Sequence, residues 1–234
     1  MIAIIKREIS SYFTSAIGYT VLAIMYLLSG FFFYGTCLMA NRSSLTYVFS
    51  DMLIAVLILV PVLTMRLVSE EKRQKTDQAL FTAPVSLTSI ALGKYFSALI
   101  VFVIAVLPTL LFAFVIRIFT IPDWTSILCN FIGLILLGGA FIAVGMFISS
   151  LTDKQAVAVF ITLGVSILIF FLDAIANIVP ISFISNALSS ISFMNHYTNF
   201  TMGILSVVDI LFFVSVAAAF IFLTVRVFEK RRWS

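Results

Sequence analysis

The side chains that could bind a partner are concentrated in one polar interval, Met65–Lys94, which lies between two long apolar runs. The interval opens with charges of alternating sign and continues into a small apolar tip. A charged patch beside an apolar tip suits docking to another protein, because apolar contacts supply binding energy and charges supply orientation. The candidate docking residues are Glu70, Glu71, Lys72, Arg73, Thr76, Asp77, Leu80 and Phe81.

Local signals predict a short helix within this interval. Thr76 can cap its start, and Asp77 would then lie in the first turn, where the helix dipole favours a negative charge. Pro84 ends this helix, and Ser86 can cap the next one, which leads through Lys94 into an apolar run. An ordinary solvated loop is the alternative. Two caps, a helix breaker and an apolar tip in one short stretch favour a docking element.

The sequence contains no residue set typical of catalysis. His196 is the only histidine, and no cysteine or carboxylate stands at metal-ligand spacing from it. The pair Gly93-Lys94 is followed by Tyr95, and Thr88 stands where the first glycine of a phosphate-binding loop would be. We therefore expect no catalytic residue, no metal site and no nucleotide site in this chain.

Composition places the chain in a membrane, since its mean hydropathy is +1.21, its apolar fraction is 62% and its charged fraction is 10%. An apolar run of about 20 residues is long enough for a helix to cross the hydrocarbon core. Six runs qualify, and together they predict one all-α polytopic membrane domain over residues 1–234. The predicted transmembrane helices are about 17–39, 48–65, 95–116, 127–148, 156–172 and 207–227.

The distribution of Lys and Arg predicts the orientation of this domain. An even number of spans puts both termini on one side, and that side also receives most of the basic residues, whereas the other side keeps only Arg42 and Arg117. By the positive-inside rule, both termini are expected in the cytoplasm. The formal net charge of +4 then reports orientation and gives no evidence for nucleic-acid binding.

Two segments outside the spans have their own patterns. Residues 2–14 alternate apolar and polar groups at helical spacing, which predicts an amphipathic helix in the cytoplasmic interface. Segment 173–206 is apolar but interrupted at Pro180 and Asn195, which predicts two short re-entrant helices in the outer leaflet. This segment would form a lid over the outward end of a pathway, although shielding of the bundle alone is the alternative. Its candidate lid residues are Pro180, Ile184, Leu188 and His196.

Small residues and thiols complete the pattern. Gly138 and Gly145 share one helix face and predict close helix packing, with a hinge as the alternative. Cys37 and Cys129 both fall near outer ends of spans, so a disulfide and two buried free thiols are both open.

Two motifs in this sequence resemble the permease subunits of ABC-2-type exporters, close to the branch that includes the gliding-motility permease and the permease of nitrous-oxide-reductase maturation. KREISSYFTSAIGY at Lys6–Tyr19 resembles the family's interfacial elbow helix. MRLVSEEKRQKTDQALFTAPVSLTSIALGK at Met65–Lys94 resembles its coupling-helix segment. With the six-span frame, the resemblance covers essentially the whole chain. Two departures are Ala16, where relatives often have Pro, and Lys75, where the wider family commonly has Gly.

The resemblance implies half of an exporter in a prokaryotic cell membrane. Its partners would be a second permease, identical or related, and a cytoplasmic ATPase dimer that binds ATP and Mg, while this chain binds no cofactor. Membrane lipid and an extracytoplasmic accessory protein are further implied partners. ATPase closure would push Thr76–Phe81 and, with it, the second and third spans.

A membrane scaffold that only anchors an ATPase, and a carrier or channel working without one, are the alternatives. Charges at span centres are expected for a carrier and are missing here.

Overall fold

The computed structural model describes residues 1–40, 42, 44–76, 85–178 and 188–232, and this part of the chain is helical and contains no strand. The helices, numbered in chain order, are α1 (Ile2–Thr14), α2 (Ala16–Phe33), α3 (Thr46–Thr64), α4 (Arg66–Gln74), α5 (Leu87–Val106), α6 (Pro108–Phe119), α7 (Trp124–Leu151), α8 (Gln155–Phe170), α9 (Leu172–Ile178), α10 (Phe193–Thr201) and α11 (Val207–Arg232).

Five helical segments among the described residues are long and apolar enough to cross a membrane. Three of them are composite. The stretch Tyr34–Met39 continues α2 as a π-helix, α3 and α4 are separated only by Met65, and α5 and α6 are separated only by Leu107. The five segments are Ala16–Met39, Thr46–Gln74, Leu87–Phe119, Trp124–Leu151 and Val207–Arg232.

The helix expected to be the fifth of six spans, α8, is apolar but only 16 residues long. A helix of that length rises about 24 Å, which is shorter than the hydrocarbon core of about 30 Å. The count of six spans therefore stays a prediction.

Helix α7 forms the centre of the bundle and packs against α3, α5, α8, α10 and α11. In its most apolar window 72% of the residues are buried, compared with 22% for α11. Gly138 of α7 faces the ring of Phe102, and Gly145 faces the side chain of Thr64. A Cβ at either glycine would overlap those neighbours, so the absence of a side chain permits the close approach of α7 to α5 and α3.

The N-terminal helix α1 has the predicted bounds and lies against the bundle. Tyr12 is buried and its hydroxyl donates a hydrogen bond of 2.8 Å to the carbonyl oxygen of Leu63. The chain turns at Ser15 between α1 and α2, and Gly18 in the first turn of α2 lies against Tyr12, where a Cβ would meet the backbone. The position of α1 in a membrane interface stays a prediction.

The segment between α8 and α11 differs from the sequence prediction in one respect. A break was expected at Asn195, but Asn195 lies inside α10. The Oγ of Ser192 caps that helix by accepting a hydrogen bond from the backbone N–H of Asn195. The helix ends at Thr201, and the turn follows at Gly203, whose φ is +78°. Pro180 and Ile184 lie outside the described residues.

Candidate functional site

A buried ion cluster joins three helices at the end of the bundle that holds α1. Lys94 of α5 is only 1% exposed. Its Nζ lies 2.9 Å from Oε2 of Glu71 on α4 and 3.2 Å from Oε1 of Glu8 on α1. It also donates a hydrogen bond of 2.7 Å to the carbonyl oxygen of Leu67. Because an ammonium group has three donors, these three acceptors satisfy it completely.

Arg7 closes the cluster from the solvent side. Its Nη2 lies 2.6 Å from Oε1 of Glu8 and 2.7 Å from Oε1 of Glu71. Glu71 therefore uses one carboxylate oxygen for Arg7 and the other for Lys94. The four charges, two of each sign, balance. We call Arg7, Glu8, Glu71 and Lys94 the ion cluster.

The charges in the ion cluster stabilise one another despite burial. The hydrogen bond to Glu8 raises the pKa of Arg7, against the effect of its partial burial. Burial by itself would raise the pKa of Glu8, but attraction to Lys94 and the hydrogen bond from Arg7 outweigh it and hold that pKa below its usual value. Both groups therefore stay charged at neutral pH.

Close backbone packing brings α1 to this position. At Gly93, the residue before Lys94, a Cβ would lie 2.9 Å from Cγ2 of Ile4. A side chain at Gly93 would thus push α1 away and separate Glu8 from Lys94. At the start of α5, the Ser86 hydroxyl accepts a hydrogen bond from the backbone N–H of Ser89, so the helix cap predicted at Ser86 is present.

The polar end of α4 is closed by a left-handed residue. Lys75 has φ 56° and ψ 22°. Its N–H donates to the carbonyl oxygen of Lys72, and the N–H of Thr76 donates to that of Glu71. This is the Schellman arrangement, in which glycine is the usual residue at the position of Lys75. Thr76 therefore closes the helix before it, and the helix that it was predicted to start lies outside the described residues.

Two further ion pairs fix the outer turns of α4. Nε of Arg66 lies 2.7 Å from Oε2 of Glu70, one turn along the same helix. Nζ of Lys72 lies 3.0 Å from Oδ1 of Asp153 in the turn between α7 and α8. The hydrogen bond from Lys72 lowers the pKa of Asp153. Arg73 is exposed.

The comparisons with known proteins identify the family. Residues 38–228 match the family model described as ABC-2 family transporter protein. The chain belongs to this family. A comparison with curated proteins gave no match. The chain is accordingly a multi-pass membrane protein and a permease of the ABC transporter type.

The predicted docking residues of the permease fall into two groups. Glu70, Glu71 and Lys72 form ion pairs with residues of the same chain, whereas Arg73 and Thr76 are exposed. Asp77, Leu80 and Phe81 lie outside the described residues. The ion pairs of the first group hold α4 in position, and those three residues are partly exposed.

The sequence prediction placed Glu8 on the polar side of the helix 2–14 and Lys94 in the helix that leads into an apolar run, and it missed the ion cluster. One signal was available. Lys94 stands directly before the long apolar run that begins at Tyr95, where a charge needs a partner. No pattern in the sequence shows that Lys94 and Glu8 meet, because they are 86 positions apart.

The opposite end of the permease carries a second polar group. Asp209 at the start of α11 is 3% exposed. Nδ1 of His196 lies 2.5 Å from Oδ1 of Asp209, and Nδ2 of Asn199 donates to Oδ2 at 2.7 Å. The His196 ring stacks on Phe212. These contacts attach α10 to α11. Leu188, also predicted for the lid, is partly buried.

Among the described residues no group of three or more His, Cys, Asp and Glu side chains could hold a metal ion. Cys37 and Cys129 are both buried and free.

Proposed function

We propose that this chain is the membrane subunit of an ATP-driven exporter. It pairs with a second permease, identical or related, and docks a separate cytoplasmic ATPase dimer through Glu70–Phe81. The ATPase supplies the nucleotide site with ATP and Mg, and this chain binds no cofactor. The membership in the ABC-2 family is the observation that carries the proposal.

The ion cluster supports this proposal by offering a path for force. The second span and α4 form one helical segment, Thr46–Gln74, that leads directly to the docking segment. Glu71 ties the end of this segment to Lys94 of α5 and to Arg7 of α1. A push on Thr76–Phe81 would therefore move the second and third spans and the N-terminal helix together.

The proposed orientation places α1 and both termini in the cytoplasm of a prokaryotic cell. The concentration of Lys and Arg at the α1 end supports it. Membership of the branch with the gliding-motility and nitrous-oxide-reductase-maturation permeases is part of this proposal and rests on the resemblance of the two motifs alone. An extracytoplasmic accessory protein would then bind the opposite end.

The docking proposal is tested by co-purification. Leu80→Asp combined with Phe81→Asp should release the ATPase, because a charged tip cannot enter an apolar cleft, while the permease remains inserted and folded. Ile121→Asp is the matched control, since Ile121 is 97% exposed and lies in the loop between α6 and α7. Recovery of the ATPase at wild-type yield with the double variant would show that docking occurs elsewhere.

We also propose that segment 173–206 closes the outward end of the pathway. The attachment of α10 to α11 by His196 and Asp209 supports this placement. Ile184→Asp or Leu188→Asp should leave assembly of the permease intact and uncouple ATP hydrolysis from export. Normal coupling in both variants would leave the segment with only a shielding role.

A further inference from the structure

An apolar groove runs along the permease between α5, α7 and α11. Its volume is about 710 Å³, within the range of about 300–1,000 Å³ that small-molecule sites occupy. The walls are almost entirely apolar, and they include Leu99, Leu136, Ala218, Ile221 and Phe222. Such a surface favours a long hydrocarbon chain over a polar solute.

One polar group lies within this apolar groove. The hydroxyl of Tyr95 forms no hydrogen bond to any residue in the part of the chain that the structure describes. A Cβ at Gly139 would lie 3.0 Å from that hydroxyl oxygen, so the glycine keeps the space around it open. The groove therefore holds a free hydrogen-bonding group in otherwise apolar surroundings.

Charged side chains line one end of the groove, near the start of α5 and the last turns of α11. Nη1 of Arg226 lies 2.6 Å from Oε2 of Glu229, and the Arg226 guanidinium lies 4.8 Å from the centre of the Phe222 ring. Arg232 lines an adjoining cavity together with Glu229. Two arginines against one glutamate give this mouth a net positive charge.

We propose that this groove binds one anionic phospholipid. One of its two acyl chains lies along the apolar walls, and its phosphate lies beside Arg226 and Arg232. The groove is apolar along its length and cationic at its mouth, and a phospholipid correspondingly has apolar acyl chains and an anionic headgroup. The ester groups between chain and phosphate can accept hydrogen bonds, as the Tyr95 hydroxyl requires.

A second copy of the chain is a poorer occupant of the groove. The last turn of α11 carries Lys230, Arg231 and Arg232. If the same turn of a second copy lay against the mouth of the groove, positive charges would face positive charges. The lipid site depends only on α5, α7 and α11, and it holds whether or not the proposed ATPase docking is correct.

Native mass spectrometry of the purified permease tests this site with phosphatidylglycerol and phosphatidylcholine of identical acyl chains. The wild type should bind phosphatidylglycerol about fivefold more tightly, the factor expected from one cation beside an anionic headgroup. Ala218→Phe fills the groove from an exposed position and should weaken binding of both lipids by about tenfold or more, because several methylene groups lose contact. Ala219→Phe is the matched control, since Ala219 is exposed and lies outside the groove lining.

A second pair of variants isolates the headgroup. Arg226→Gln should lower affinity for phosphatidylglycerol about fivefold and leave phosphatidylcholine unchanged, whereas Lys230→Gln should change neither. Ala218→Leu serves in place of Ala218→Phe if the larger side chain prevents folding. Equal binding of the two lipids by the wild type, or equal affinities for Ala218→Phe and Ala219→Phe, would overturn the proposal. A change of oligomeric mass in Ala218→Phe without a change in lipid binding would assign the groove to a second copy.

Discussion

At the scale of single residues, Lys94 is held by three acceptors in the interior of the permease. It is fully buried with its charge, and its two carboxylate partners come from α1 and α4. A buried ion pair is often no more stable than an apolar replacement of the whole pair, but removal of one partner leaves a charge that is buried and uncompensated. The ion cluster therefore specifies which helices meet more than it adds to overall stability.

This reasoning predicts a non-additive pair of variants. Lys94→Met should destabilise the permease by about 3 kcal/mol, because Glu8 and Glu71 then face each other with only Arg7 between them. The double variant Lys94→Met with Glu71→Met leaves Arg7 and Glu8 as a balanced pair and should be more stable than Lys94→Met alone. Thermal unfolding in detergent measures both. A double variant less stable than the single one would contradict the account.

At the scale of elements, the backbone at the end of α4 is strained, and a single substitution should relieve that strain. Lys75 occupies the left-handed region at φ 56° and is exposed, a conformation that costs a residue with a Cβ about 1 kcal/mol relative to glycine. Lys75→Gly should therefore slow hydrogen exchange in α4 by about fivefold, the factor that corresponds to about 1 kcal/mol. Gln74→Gly, within the helix, should speed it by a similar factor. Faster exchange in Lys75→Gly would show that the left-handed turn is not what limits α4.

The elements also show what could be predicted from the sequence. The bounds of α1 and the cap at Ser86 follow from local spacing and capping chemistry, so they could be predicted. The helix through Asn195 could not, because its polar side chains are satisfied by partners outside the helix itself. The Asn195 amide donates to the carbonyl oxygen of Ser189, and His196 pairs with Asp209. The ion cluster escaped prediction for the same reason, since Glu8, Glu71 and Lys94 meet only in the folded bundle.

At the scale of the whole molecule, α8 decides the topology. If α8 crosses the membrane, the chain has six spans and both termini share one side. Its 16 residues are short for a span, but the chain continues at once into α9 (Leu172–Ile178). The polar turn around Asp153 before α8 and the His196 group after it lie at opposite ends of the bundle. This separation favours a crossing.

Single-cysteine labelling tests the crossing in a background with Cys37 and Cys129 replaced by alanine. Lys6→Cys and Lys230→Cys lie at exposed positions near the two ends of the chain, and Ile121→Cys lies in an exposed loop at the other end of the bundle. In intact cells an impermeant maleimide should label only Ile121→Cys, and the two terminal sites should react after permeabilisation. Labelling of Lys230→Cys but not Lys6→Cys from outside would mean that α8 does not cross and that the chain has five spans. Labelling of both terminal sites from outside would reverse the proposed orientation and place the ion cluster on the side away from any cytoplasmic ATPase.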